Sequence, residues 1–123
     1  MPRIIIIDDD KDANEILKRF FERRGIEVDV ALTVDVGLTL IRDNPPDLLL
    51  LDMFLGGESG LSVLRTLGGG KLPFPVIVVS GSIDQGAINQ AKGLGAEDVL
   101  IKPVVLDDIK KIVYSKLGLK DSA

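Results

Sequence analysis

The 123-residue chain contains no cysteine and no histidine. Without cysteine there is no disulfide, no thiol nucleophile and no zinc–thiolate site. Without histidine the commonest general base and the commonest transition-metal ligand are both missing. A broad basic field is missing as well: 15 Lys and Arg stand against 19 Asp and Glu, a net charge of −4. That balance speaks against a phosphate-backbone partner, and no direct binding of nucleic acid is expected. No apolar run is long enough to span a bilayer, and no signal-peptide pattern opens the chain. A cytoplasmic protein without membrane attachment is therefore expected. Internal repeats, low-complexity tracts and linkers are absent too.

What is present is ordinary for a globular protein: 46% hydrophobic and 28% charged residues, in a length that suits one domain. Ile4-Ile5-Ile6-Ile7 runs into Asp8-Asp9-Asp10, and Leu48-Leu49-Leu50-Leu51, set off by Pro45-Pro46, runs into Asp52. Val76-Ile77-Val78-Val79 ends at Ser80-Gly81-Ser82, and Asp98 to Ile101 ends at Lys102-Pro103. Uninterrupted apolar runs of this length read as strands buried on both faces of a sheet. Glu27 to Ala31 is a further short strand. Between the strands the apolar residues fall at helical spacing. The first such stretch is Ala13, Ile16, Leu17, Phe20 and Phe21, stopped by Gly25; the second is Val34, Leu38 and Ile41 behind a Thr33 cap. Leu61, Leu64 and Leu67 follow, then Ala87, Ile88, Ala91 and Leu94, then Ile109, Ile112, Val113 and Leu117. Alternating strands and helices predict an α/β fold: a flavodoxin-like, doubly wound, five-stranded parallel sheet of order 2-1-3-4-5 with five helices. Residues 1–119 are expected to form the domain, with 120–123 as a short polar tail.

Right-handed crossovers bring the C-terminal strand ends to one edge of such a sheet, where open α/β sheets hold their ligands. Asp8, Asp9, Asp52, Ser80 and Lys102 are therefore expected to converge. Three carboxylates without His or Cys make an oxygen-only site, which favours Mg²⁺ over zinc or copper. Lys102 can serve as a point charge for a phosphate, and the Ser80 hydroxyl can donate to another of its oxygens. Asp52 needs no base to act as a nucleophile, and carboxylates are known phosphoryl acceptors. Phosphoryl transfer asks mainly for positioning and charge neutralisation. Taken singly, each feature has a plainer reading. Asp8-Asp9-Asp10 can cap a helix and complement its dipole, Asp52 and Ser80 can begin turns, and Pro103 can end a strand. Asp10 is assigned the capping role, and Lys110, Lys111 and Lys116 a solvated face. Four independent coincidences at four strand ends are the less economical account.

Ile6-Ile7-Asp8-Asp9-Asp10, Leu50-Leu51-Asp52-Met53 with Gly60, Val78-Val79-Ser80-Gly81, and Gly95-Ala96-Glu97-Asp98 ahead of Lys102-Pro103 occur in that order. Together they resemble the receiver domain of two-component response regulators over nearly the whole chain. The resemblance implies that Asp52 takes a phosphoryl group from a histidine kinase or phosphotransfer protein. It implies that Asp8, Asp9 and Asp52 hold Mg²⁺, helped by the backbone carbonyl of Phe54. Ser80 and Lys102 would bind the phosphoryl group and report its presence. With no histidine in the chain, the donor acts in trans. Such a domain is not an enzyme beyond its own phosphorylation and dephosphorylation. It acts on a downstream protein target or an output domain, and the resemblance further implies dimerisation through the face of helix 4, strand 5 and helix 5.

Three positions depart from that pattern. Gly56 replaces a proline four residues after the acceptor, so a looser loop is expected. Val99 replaces an aromatic residue three before the lysine, which weakens both the link from Ser80 to the responding face and the dimer forecast. Val105 stands where a capping residue is common, so the last helix is expected to start near Asp107. Phe54, with Ser82, flanks the path of a water attacking the phosphorylated acceptor, and its bulk is expected to lengthen the lifetime of that form. The competing reading is a pseudo-receiver, a phosphorylation-independent protein-binding module, which Val99 and Gly56 favour and the intact acid, Ser and Lys set opposes. A small phosphotransfer or phosphatase enzyme ranks last for want of a second general acid–base. Nucleotide or flavin binding is excluded by the lack of a Gly-rich phosphate loop after the first strand.

Overall fold

Ile4, Ile5, Ile6 and Ile7 are each no more than 2% exposed, as a strand covered on both faces must be. They belong to a computed structural model that describes residues 1–81 and 84–120. Five strands, β1 (Arg3–Ile7), β2 (Glu27–Ala31), β3 (Leu48–Asp52), β4 (Val76–Ser80) and β5 (Asp98–Ile101), form one sheet. All its pairings are parallel and its order is β2-β1-β3-β4-β5, the flavodoxin-like arrangement. The helices are α1 (Lys11–Glu22), α2 (Val34–Asp43), α3 (Leu61–Thr66), α4 (Gln85–Gly93) and α5 (Leu106–Leu117).

Successive strand side chains point to opposite faces. Ile5, Ile7, Leu49, Leu51, Val76 and Val78 accordingly pack with Ile41 of α2, Leu64 of α3 and Ala91 of α4. Ile4, Ile6, Leu48, Leu50 and Ile77 pack on the other side with Phe21 of α1 and with Ile109 and Val113 of α5. Each fully buried aliphatic side chain contributes roughly 1.5–3 kcal/mol. Their sum offsets the cost of holding carboxylates at strand tips.

Asp10 caps α1, accepting from the Ala13 N–H at 3.1 Å, and Thr33 caps α2, accepting from the Val36 N–H at 3.2 Å. The last helix starts at Leu106, one residue before Asp107, with Val105 in the capping position and no side-chain cap bond. A missing cap costs only about 1 kcal/mol, and Asp107 and Asp108 in the first turn complement the helix dipole.

The loop after β3 has secondary structure of its own. Phe54–Leu55 and Glu58–Ser59 pair as a short antiparallel hairpin. Gly56 (φ +54°) and Gly57 (φ +97°) form its turn. Positive φ at both central residues suits glycine, and a proline, locked near −65°, could not occupy the first.

At the opposite edge of the sheet the Arg3 side chain is buried and pairs with Asp29 and, at 3.4 Å, with Glu27 of β2. Its Nε donates to the Asn44 carbonyl at 3.1 Å, and its backbone N–H donates to Asp47 at 2.8 Å. One guanidinium thus ties β1 to β2 and to the end of α2, while the Arg3 backbone N–H holds the entry of β3. This charge holds structure together, far from the acids at the strand tips.

Candidate functional site

Parallel pairing sets the tips of β1, β3, β4 and β5 side by side; the first delivers two polar groups and each of the others one. Asp8 follows β1 with its N–H donating to the Ala31 carbonyl at 3.0 Å; its side chain is buried while that of Asp9 is exposed. Asp52 closes β3 and is 6% exposed. Lys102 follows β5, joined to Pro103 by a cis peptide, and its N–H donates to the Ser80 carbonyl at 2.7 Å. Ser80 ends β4 and is buried.

The Lys102 Nζ bridges two of the acids. It lies 2.8 Å from Asp8 Oδ2 and 3.1 Å from Asp52 Oδ2. The other oxygen of Asp52, Oδ1, accepts the Phe54 N–H at 3.2 Å, so the start of the hairpin orients the carboxylate. One oxygen from each of Asp8, Asp9 and Asp52 lies within 4.8 Å of the others. Every donor in this set is a carboxylate oxygen, and the acids outnumber the one ammonium. A hard divalent cation such as Mg²⁺ fits both the chemistry and the charge. A cavity of about 430 Å³ opens beside the acids, walled by Ile16 and Leu17 of α1 and by Val104 and Leu106.

Burial raises the Asp52 pKa above its ordinary value, the Phe54 N–H opposes that, the Asp8 charge adds to it, and Lys102 pulls the other way. Burial alone would lower the Lys102 ammonium. Hydrogen bonds and charges from Asp8 and Asp52 outweigh it and hold Lys102 above its ordinary value, so it is cationic at neutral pH. A carboxyl with a raised folded-state pKa holds its proton more tightly in the folded protein than in the unfolded chain. Its contribution therefore favours folding in acid and is lost as pH rises through the folded pKa. Metal-free protein is expected to lose stability relative to Asp52→Asn between acid and neutral pH. Adding Mg²⁺ is expected to reverse the loss, by about 2.7 kcal/mol at a hundredfold excess over its Kd. Thermal melts of both proteins at pH 4 and pH 7, with chelator and with Mg²⁺, check this; equal melts throughout would mean that Asp52 carries no burial cost.

The structure brings together Asp8, Asp9, Asp52 and Lys102, and it places Ser80 on the adjoining strand end. Ser82 lies outside the described residues. Two features were not read from the sequence. One is the Gly56-Gly57 hairpin, for which a Gly-Gly pair is a recognised turn signal. The other is Asn14, a polar residue one turn after the acids on an otherwise apolar helix face, whose Nδ2 donates to the Asp8 carbonyl at 2.7 Å.

Among the described residues no helix is long and apolar enough to cross a membrane. A family profile described as the response regulator receiver domain matches residues 4–114. The acid tolerance regulatory protein ActR of Sinorhizobium medicae is 33% identical over 115 residues, covering 94% of this chain and 59% of that protein. The transcriptional regulatory protein KdpE of Mycobacterium tuberculosis is 35% identical over 108 residues, 88% of this chain and 47% of that one. The chain thus spans about half the length of the curated relatives it matches. A CheY-like response regulator receiver domain protein from Methanospirillum hungatei superposes with a TM-score of 0.88 at 29% identity, covering 96% of this chain and 94% of that one. A two-component response regulator from Clostridium difficile does so with a TM-score of 0.88 at 29% identity, over 99% and 100% of the two chains. With its acids, amine and sheet order in place over that span, the chain belongs to the receiver domain family of two-component response regulators.

Proposed function

We propose that Asp52 accepts a phosphoryl group from a histidine kinase or phosphotransfer protein acting in trans, and that the added charge switches a protein-binding surface. The observation that carries this reading is the Lys102 ammonium held between Asp8 and Asp52, at 2.8 and 3.1 Å, beside an oxygen-only cluster. In the transfer an Asp52 oxygen attacks phosphorus, the bond from phosphorus to the donor's imidazole nitrogen breaks, and its electron pair leaves with the imidazole. Lys102 donates to a phosphoryl oxygen and Ser80 to another. Asp8, Asp9, Asp52 and the Phe54 carbonyl would hold Mg²⁺, which when bound supplies charge neutralisation for the incoming phosphoryl group. The chemistry ends at the chain's own Asp52, so it is no enzyme towards other substrates. A phosphoryl group adds roughly −1.5 to −2 charge, which Lys102 and Ser80 must meet, and that demand biases the α4–β5–α5 face towards a target, an output domain or a second copy. A cytoplasmic setting goes with this reading.

Incubation with acetyl phosphate and Mg²⁺ is expected to add one phosphoryl group to the wild type by intact mass, and none to Asp52→Asn. Modification of the mutant would move the acceptor elsewhere. A partner held equally well by Asp52→Asn and by phosphorylated wild type would favour the pseudo-receiver.

Phe54 is 55% exposed at the start of the hairpin, next to the acceptor. Its ring is proposed to hinder the water that hydrolyses the phosphorylated form. Phe54→Asn is expected to hasten phosphate loss by about tenfold, equivalent to roughly 1.4 kcal/mol of barrier. Decay followed by intact mass checks it, and an unchanged half-life would clear Phe54 of the role.

A further inference from the structure

Asn14 is the polar residue on the buried side of α1, and it is 2% exposed. Leu17 and Phe21, further along that helix, pack into the apolar cluster against β1. The Asn14 side chain is tied to the strand tip, and its backbone to the helix cap. Its Nδ2 donates to the Asp8 carbonyl at 2.7 Å, and its backbone N–H donates to the Asp10 carbonyl at 3.0 Å. The Asp10 N–H in turn donates to Asp8 Oδ1 at 3.0 Å. These bonds close a ring around residues 8–10, the segment that carries two of the three site carboxylates.

The ring leaves a debt: among the described residues Asn14 Oδ1 is buried without a hydrogen-bond partner. Buried polar atoms are nearly always paired, so an orphan calls for a reason. Turning the amide over would set its oxygen against the Asp8 carbonyl oxygen and gain nothing. One arm of the amide thus meets no partner among the described residues while the other grips Asp8.

We infer that Asn14 is a positioning residue which, through the Asp8 carbonyl, aims the Asp8 and Asp9 carboxylates for divalent-cation binding. The inference rests on the proposed Mg²⁺-dependent phosphoacceptor reading. The Asp8 carbonyl and the Asp9 N–H share one rigid peptide plane. Releasing that carbonyl lets the plane rotate, and the rotation redirects both side chains at once. Hydrogen-bond partners that orient metal-binding groups without touching the ion typically change affinity by about 10–100-fold when removed.

The test is calorimetric titration of Mg²⁺ into wild type, Asn14→Leu, Asn14→Ser and Asn14→Gln, with thermal melts in chelator. Acetyl phosphate labelling is followed in parallel against Mg²⁺ concentration. Asn14→Leu and Asn14→Ser, which withdraw the amide, are expected to raise the Mg²⁺ Kd by about 10–100-fold. The Mg²⁺ dependence of labelling should move by the same factor, with the rate at saturating Mg²⁺ close to wild type. Asn14→Gln keeps an amide donor and should recover part of the affinity. If Asn14→Leu does not fold, Asn14→Ser carries the same comparison. Unchanged Mg²⁺ affinity in a folded variant that has lost the amide would overturn the inference and leave Asn14 a purely structural role. A wild type that neither binds Mg²⁺ nor takes label would instead overturn the phosphoacceptor reading.

Discussion

Replacing Lys102 by alanine is expected to slow phosphorylation of Asp52 by about 10²–10³-fold, the usual cost of removing one donor aimed at developing charge. Lys102 is the cation that bridges the buried Asp8 and Asp52 carboxylates. Without it two like charges face each other, and breaking one partner out of a buried pair leaves the others uncompensated. The same loss removes an influence that lowers the Asp52 pKa, so burial and Asp8 push that carboxyl further up. More of the acceptor is then protonated at any given acidic pH in the metal-free protein, so its titration should move to higher pH. Rates of acetyl phosphate labelling at saturating Mg²⁺ report the first effect, and the pH titration of the Asp52 carboxyl in chelator, followed by NMR, reports the second. Lys102→Arg keeps the charge but replaces a compact ammonium with a planar fork, and it should fall between the two. A Lys102→Ala rate matching wild type would remove the ammonium from the proposed chemistry.

Gly60→Ala is expected to destabilise the protein by roughly 3 kcal/mol or more, an overpacking cost at the upper end because the obstacle is backbone. Gly60 has an ordinary helical φ of −60°, so conformational freedom is not the issue. Space is. A Cβ there would overlap the Asp52 carbonyl oxygen and sit 3.1 Å from both the Asp52 carbonyl carbon and Met53 Cα. The Gly60 N–H also donates to the Met53 carbonyl at 2.7 Å, which holds the two segments together and closes off retreat. Relief must come from moving the backbone of Asp52 itself. A melting temperature lower by about 10 °C or more is expected, together with weakened Mg²⁺ binding. Melting curves that superpose on wild type would show that the loop has slack the close contact denies.

The fold was legible in the residues because its strands are apolar throughout. Ile4 to Ile7 and Leu48 to Leu51 can only be buried on both faces, and that demand, with the helical spacing between them, leads to the β2-β1-β3-β4-β5 sheet. The candidate site was legible for a related reason. Charges at the tips of such runs are costly unless paired, and Asp8, Asp52 and Lys102 are paired across 94 and 50 residues of chain. Other features were not legible, because their cause is a neighbour distant in sequence or a backbone path. Nothing local to Arg3 announces that Asp29 and Asp47 will meet it. Val105 reads as a poor cap, yet α5 begins at Leu106, since seating Ile109 and Val113 on the sheet outweighs one missing hydrogen bond.

Composition and periodicity therefore determined which elements form, which edge of the sheet carries the acids, and that any metal there meets oxygen alone. Tertiary structure decided the rest: that the Lys102 ammonium rests between Asp8 and Asp52, that the Gly56-Gly57 turn aims the Phe54 N–H at the acceptor, and that Asn14 grips the Asp8 carbonyl. The physical reason is range. Burial and helical pitch act on each segment by itself, whereas hydrogen bonds and ion pairs a few ångströms long exist only after distant segments have been packed into contact.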